Sequence, residues 1–251
     1  MATNPIGETL LEMHYFGVLR AHFAAVLGFP NLRILKPTPQ REKWLGFDQG
    51  FVKSSETGLA LEKSLRNFIH SSVRPLHVFR AIFLQFKVVD RRRSRRGAPD
   101  DWTVPWYAAH ISTDKDKDTK ISQHETLMRL AELPDTEVAY ACPMLFSLDD
   151  IIRPADLSTL RQIDVKSAPH GWLTDGSHKL AFQTPTSGAF WCSDPIPAKD
   201  FVLEDALRRL PELNERQLLD YLQKISTTIW GRNEPSSRSQ ALPSSLFIIA
   251  Q

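Results

Sequence analysis

The chain has few cysteines and no long apolar run, and both absences narrow what it can be. Its two cysteines, Cys142 and Cys192, lie in hydrophobic segments, which predicts buried thiols in a reducing cytosol. A zinc site would need more ligands than these. No apolar stretch approaches the roughly 18–20 residues that cross a bilayer, and the N-terminus lacks a basic region followed by an apolar one. We therefore expect a soluble, unsecreted, cytoplasmic protein.

Strong overall charge and the common enzyme motifs are also missing. The net charge is +2, which is too small to argue for a polyanionic partner by itself. The sequence contains no G-x-S-x-G, H-E-x-x-H, P-loop or G-x-G-x-x-G motif, and no histidines at the spacing of metal ligands. Hydrophobic residues at 42% and charged residues at 24% are ordinary for a globular protein that buries a proper core.

The most informative feature that is present is a short apolar run containing Gln85 and Lys87. Side chains two apart on a strand point the same way, so this strand directs an amide oxygen and an ammonium to one place. Upstream, Asp48 lies inside another apolar run, 44–52. Carboxylate and amide oxygens are ligands for hard cations such as Mg²⁺. The three residues together predict a metal site on neighbouring strands, in which Lys87 holds a water or stabilises charge on phosphorus.

A basic segment follows directly, with five arginines in six positions: Arg91, Arg92, Arg93, Arg95 and Arg96. Such a run is often only a solvated loop. Beside a metal site it could instead hold phosphates, together with Arg80 just before the strand.

The remaining patterns predict an α/β domain with a mixed sheet. Residues 7–27 have the apolar stripe of a helix, with Glu12 among its apolar positions and Glu8 four residues earlier. Ser122 and a glutamate three residues later form a capping-box pattern before a helix. The apolar run 137–146 then predicts a buried strand, so that strand, helix and strand form a crossover unit. A further short helix is expected near 154–162.

These features resemble the PD-(D/E)xK nuclease superfamily, which has the restriction-endonuclease-like fold. The matching stretches run from the helical acid Glu12, through Gly46-Phe47-Asp48 and Gln85-Phe86-Lys87, to a helix that begins with Gln123 and His124. The resemblance implies a mixed central sheet flanked by helices over residues 1–199, with a core at 7–146 and an insertion at about 54–78. A helical extension at 200–230 and a flexible tail at 231–251 would follow.

The resemblance also implies roles for individual residues. Asp48, Gln85 and Glu12 would bind Mg²⁺ or Mn²⁺, with Glu8 as the rival of Glu12, and Lys87 would complete the catalytic group. Gln123 and His124 would align the site or contact the scissile strand, unless they form a surface turn without function. Gln85 replaces the commoner glutamate, so the site has one negative charge fewer and should hold metal more weakly.

We thus expect a metal-dependent nuclease that hydrolyses DNA, with RNA left open, acting alone, as a homodimer or with a partner protein. The resemblance suggests bacterial anti-phage defence as its context. The alternative is a catalytically inactive module on the same fold that binds nucleic acid or a partner within an assembly.

Overall fold

The computed structural model describes residues 4–27, 32–36, 47–53, 63, 65–67, 69–70, 80–115, 117, 120–132, 136–169, 177–192 and 195–201. All of them lie in one compact unit, Met1–Leu210. Its helices are α1 (Glu8–Leu27), α2 (Gln123–Ala131) and α3 (Leu148–Ile152). Its strands are β1 (Leu32–Leu35), β2 (Gln49–Lys53), β3 (Arg80–Phe86), β4 (Val89–Arg92), β5 (Trp106–Ser112), β6 (Thr136–Pro143), β7 (Leu160–Asp164), β8 (Ser177–Phe182), β9 (Ala189–Cys192) and β10 (Ile196–Pro197).

The strands form two five-stranded sheets. The first sheet has the order β1-β2-β3-β6-β7 and the second has the order β10-β9-β8-β5-β4. Strands β3 and β6 pair in parallel, whereas every other described pairing is antiparallel. The strand directly before α2, β5, lies in the second sheet, so the parallel partner of β6 is β3. The α/β class and the mixed sheet are therefore confirmed, while the second sheet was not predicted.

The two sheets share one core, and helix α1 covers the opposite face of the first sheet. Phe83 and Tyr140 of the first sheet meet Leu180 and Trp191 of the second in a single buried cluster, to which α2 adds Leu127. Along β3 the odd positions face this cluster, because alternate side chains point to opposite faces of a strand. The even positions, including Leu84, pack against α1. The first sheet is consequently buried on both faces, and all eight residues of β6 are buried.

Helices α1 and α2 and strand β6 lie where the sequence predicted a helix or a strand, and two predictions are corrected. The strand predicted to contain both Gln85 and Lys87 ends at Phe86, so Lys87 lies in the connection to β4 of the second sheet. The helix expected near 154–162 is instead a 3₁₀ turn, Leu157–Thr159, followed by β7. Trp106 and Tyr107 of β5 are core residues, with exposed fractions of 1% and 8%.

Other predictions concern thiols, membranes and the ends of the chain. Cys142 is buried and Cys192 is half-buried, and both are free thiols. Within the described ranges, no helix is both long enough and apolar enough to cross a membrane. Of the insertion at 54–78, residues 63, 65–67 and 69–70 have helical backbone. The rest of it, the extension beyond residue 201 and the tail lie outside the described residues.

Candidate active site

Asp48 and Gln85 lie side by side at the place where β2 begins and β3 ends. The backbone N–H of Asp48 donates to the carbonyl of Leu84 (2.9 Å), which aligns Asp48 with Gln85 on the next strand. The carboxylate Oδ2 of Asp48 accepts hydrogen bonds from Gln85 Nε2 (2.8 Å) and from the backbone N–H of Phe86 (2.6 Å). Both side chains are buried, with exposed fractions of 4% and 1%. Two donors therefore compensate a carboxylate that has left water.

Aromatic rings pack closely next to the Asp48–Gln85 pair. A Cβ atom added to Gly50 would lie 2.8 Å from Cδ1 of Phe83, which is closer than real Cβ contacts. The missing side chain lets the Phe83 ring cross β2, where it packs on Phe47 with ring centroids 4.4 Å apart. The residue directly before Asp48 is thus fixed by a buried aromatic contact.

Gln85 has an orphaned oxygen. Its Nε2 is used by Asp48 and, at 3.2 Å, by the carbonyl of Phe86. No described residue donates a hydrogen bond to Oε1, although that atom is buried. A buried acceptor without a partner is costly, and a hard cation is one species that would satisfy it.

Lys87 lies in the two-residue connection between β3 and β4. Its backbone N–H donates to the carbonyl of Ala141 in β6 (2.9 Å). Its ammonium Nζ donates to Oε1 of Gln123 (2.8 Å), the first residue of α2. Because Ser122 caps this helix by accepting from the N–H of Glu125 (3.0 Å), the position of Gln123 is well defined. The second half of the predicted capping box is not formed, since Glu125 pairs with Arg129 (2.7 Å).

His124 lies where it cannot touch a nucleic acid. Its exposed fraction is 1%, and its Nδ1 shares a hydrogen bond of 2.8 Å with the hydroxyl of Tyr140. Burial, with a smaller effect of nearby His178, lowers the pKa of His124 from 6.5 to about 4, so the ring is neutral at pH 7. A ring buried to this extent offers no surface for the predicted contact with the scissile strand, whereas the other predicted role of His124, in aligning the site, stays a prediction.

Glu12 joins a second polar group instead of the Asp48 pair. Its Oε1 accepts from Gln49 Nε2 (3.0 Å) and forms an ion pair with Lys36 of the segment after β1. Gln49 pairs with an even position of β3, Leu84, so its side chain and Glu12 lie on the α1 face of the first sheet. The rival acid, Glu8, is the first residue of α1, one turn earlier. The predicted three-residue ligand set is thus divided between two faces of the sheet.

This division bears on metal binding. In the part of the chain that the structure describes, no three Asp, Glu, His or Cys side chains are grouped as ligands. The carboxylate of Asp48 and the orphaned amide oxygen of Gln85 nevertheless have the oxygen chemistry that Mg²⁺ and Mn²⁺ accept. The residues fit a hard cation held by few protein charges.

The basic segment is part strand and part exposed surface. Arg91 and Arg92 belong to β4, and Arg92 is half-buried in an ion pair with Asp90 (3.0 Å). Arg95 donates to the carbonyl of Asp100. The exposed side chains of this segment are those of Arg91, Arg93, Arg95 and Arg96. Of Arg80, the structure describes only the backbone, at the start of β3.

Three residues around the site were not predicted: Lys36, Gln49 and Tyr140. Gln49 could have been found, because an amide that follows an aspartate within an apolar run needs a buried partner. Tyr140 gave a similar signal, since a phenol inside a buried strand usually bonds something. Lys36 gave none, because nothing in its surroundings along the chain connects it to Glu12.

Comparisons of the chain with protein-family models, with curated proteins and with solved structures gave no match.

Proposed function

We propose that this chain is a metal-dependent nuclease of the restriction-endonuclease-like type that hydrolyses phosphodiester bonds in DNA. The observation that carries the proposal is the buried pair of Asp48 and Gln85 where β2 begins and β3 ends, in which no described residue donates to the amide oxygen of Gln85. Lys87 follows two residues after Gln85, with its ammonium bonded to Gln123. The mixed sheet with its parallel β3–β6 crossover supports the proposed fold. RNA remains an outcome of the test, and anti-phage defence rests on the sequence resemblance.

Asp48 and Gln85 would hold the metal, Mg²⁺ or Mn²⁺. When bound, it would polarise the phosphate and make water a better nucleophile. The carboxylate of Asp48 is oriented by the N–H of Phe86, and Gln85 would have to release it as a hydrogen-bond acceptor for the amide oxygen to share the same cation. Glu12 becomes a further ligand only by giving up Lys36 and Gln49.

Lys87 supplies the fixed positive charge of the proposed mechanism. Its backbone is bonded to β6 and its ammonium to Gln123, so the charge is pre-organised rather than recruited. It would hold an attacking water or stabilise the charge that builds on phosphorus. The exposed arginines Arg91, Arg93, Arg95 and Arg96 would hold the backbone of the substrate through its phosphates.

The test is cleavage of plasmid, single-stranded DNA and RNA with Mg²⁺, Mn²⁺ or EDTA. Wild type is compared with Lys87→Ala, Asp48→Asn and the control Lys166→Ala, which changes an exposed lysine outside this group. We expect metal-dependent cutting by wild type and the control, and its loss in the other two variants. Absence of cutting by clean, folded wild type with every metal and substrate would overturn the proposal.

A second candidate function, a nuclease-fold module that binds without cutting, is favoured by one observation. Both acids of the predicted ligand set already have protein partners: Gln85 donates to Asp48, and Lys36 pairs with Glu12. Such a module would bind DNA in a salt-sensitive way, with or without metal. Charge removal at Arg93, Arg95 and Arg96 together would then weaken binding and flatten its dependence on salt, roughly by one unit of slope for each phosphate that the protein no longer neutralises.

A further inference from the structure

We propose that His124 and Tyr140 act together as positioning residues for Lys87, acting through Gln123 and through strand β6. The inference rests on the proposed nuclease function, because it assigns the pair a part in holding the ammonium which that function uses. Neither residue would touch the substrate or the metal.

The pair is held tightly for a core contact. His124 and Tyr140 are each 1% exposed, and their rings are almost parallel, 10° apart, with centroids separated by 6.1 Å. The hydrogen bond between Nδ1 and the hydroxyl is 2.8 Å long. Trp191 of the second sheet packs on both rings, at centroid distances of 6.4 and 6.1 Å. The pair consequently has little freedom to move.

Two short routes connect the pair to Lys87. On one side, Gln123 precedes His124 in α2 and accepts the hydrogen bond from the ammonium of Lys87 (2.8 Å). On the other side, Ala141 follows Tyr140 in β6 and accepts the hydrogen bond from the backbone N–H of Lys87 (2.9 Å). The hydrogen bond between His124 and Tyr140 joins the two routes, so it fixes where the side chain of Lys87 is held relative to its own backbone.

The same pair is also in register with the candidate metal ligand. In the parallel pairing of β3 and β6, Tyr140 is the direct neighbour of Gln85. Both side chains face the core between the sheets, because Phe83, two residues earlier on β3, belongs to that core. The chain thus ties Gln85, Lys87 and the start of α2 to the same two residues of β6.

A purely structural role would not require polar atoms here. Two apolar rings of similar volume would fill the space without the cost of burying an imidazole and a phenol. A buried hydrogen bond, in contrast, sets the direction and distance between two elements. The polar pair therefore suits a place where α2 must sit at a defined position on β6.

The experiment combines activity with a signal from Lys87 itself. The variants are His124→Leu, which removes the bond; Tyr140→Phe, which keeps the ring and removes only the hydroxyl; and His124→Asn, which keeps a polar atom near the position of Nδ1. Each is made in wild type and in Gln123→Ala. Cleavage rates in Mg²⁺ are measured beside the NMR signal of the Lys87 side chain, assigned with Lys87→Arg.

We expect His124→Leu and Tyr140→Phe to lower kcat by about tenfold to a hundredfold, with little change in KM and with partial rescue in His124→Asn. In the Gln123→Ala background the same changes should have a clearly smaller effect, because the route through Gln123 is already broken and only the route through Ala141 remains. His124→Leu and Tyr140→Phe should each also shift the NMR signal of the Lys87 side chain. Losses that multiply in that background, or a Lys87 signal that stays in place, would overturn the inference.

The two proposals can fail separately. If folded wild type does not cleave, the nuclease function fails, and the part of His124 and Tyr140 in catalysis fails with it. If wild type cleaves and Tyr140→Phe cleaves equally well with an unmoved Lys87 signal, the nuclease function stands and the positioning role does not.

Discussion

Acid should destabilise this fold through one identified group, His124. Its pKa in the folded protein is about 4, against 6.5 for an unperturbed histidine, mainly because burial disfavours the imidazolium. Below pH 6.5 His124 therefore becomes protonated in the unfolded chain, while it stays neutral in the folded protein until the pH approaches about 4. The stability contributed by this group is complete above pH 6.5 and is lost as the pH falls from there towards about 4.

The expected size follows from the difference between the two pKa values. One unit of pKa corresponds to about 1.4 kcal/mol, so a fall from 6.5 to about 4 amounts to about 3 kcal/mol of unfolding free energy. That is a large share of the stability of an ordinary domain, about 5–15 kcal/mol. Nearby His178, whose pKa is also lowered by burial, should add to the effect in the same direction.

The assay is urea unfolding of wild type and His124→Asn at intervals between about pH 7 and about pH 4. The variant has no titratable group at this position. The loss of its unfolding free energy across the interval should therefore be smaller than the loss in wild type, with a difference of about 3 kcal/mol. Comparing slopes removes the contributions of all other titrating groups. Parallel pH profiles for the two proteins would refute the reasoning, since they would show that His124 is protonated equally in the folded and unfolded chains.

Three further changes probe the polar groups around the site. Gln85→Glu replaces a donor to Asp48 by a second carboxylate, so the free energy of unfolding in EDTA should fall by about 2–4 kcal/mol. Urea unfolding should show that Mg²⁺ raises the free energy of unfolding more in this variant than in wild type. A urea midpoint of the variant equal to that of wild type in EDTA would contradict this. Lys36→Met leaves the carboxylate of Glu12 buried without its cation; because Lys36 is half exposed, we expect a loss of about 1–2 kcal/mol in thermal unfolding, absent in the control Lys36→Arg. Ser122→Ala removes the cap of α2 and should cost about 1 kcal/mol, which Ser122→Asp should largely avoid.

Elements with strong local signals could be predicted from the sequence. Helix α1 has a continuous apolar stripe without internal proline, α2 begins at a capping serine, and β6 is apolar along most of its length. In each case the residues of the element itself indicate its type and whether it is buried. The site residues Asp48 and Gln85 were predicted to lie together on the same grounds, because each is a polar residue inside an apolar strand segment.

The edge strand β4 of the second sheet could not be predicted, because its sequence does not look like that of a strand. Three of the four residues of β4 are Asp90, Arg91 and Arg92, and at a sheet edge these can pair through their backbones while their side chains reach water. Similarly, Asp156 caps a 3₁₀ turn rather than a helix, because Leu160–Asp164 pairs with β6. Partners distant in sequence decided both outcomes.

The position of Glu12 depended on distant partners too. Its place on α1 was predicted correctly, but its contacts are with Lys36 and Gln49, which come from two other strands or their ends. An acid on a helix can turn to either side of a sheet edge, and the choice is made by whichever donors the fold supplies. No pattern within α1 carries that information.

The two-residue connection at Lys87 has a mechanical consequence. Lys87 and Val88 are all that separates β3 of the first sheet from β4 of the second, and two residues span at most about 7 Å. The end of β3 and the start of β4 must therefore stay close together. Any separation of the two sheets would be a rotation about this connection. In such a rotation Lys87 would be the part of the site that moves least, while the arginines after β4 would move with the second sheet.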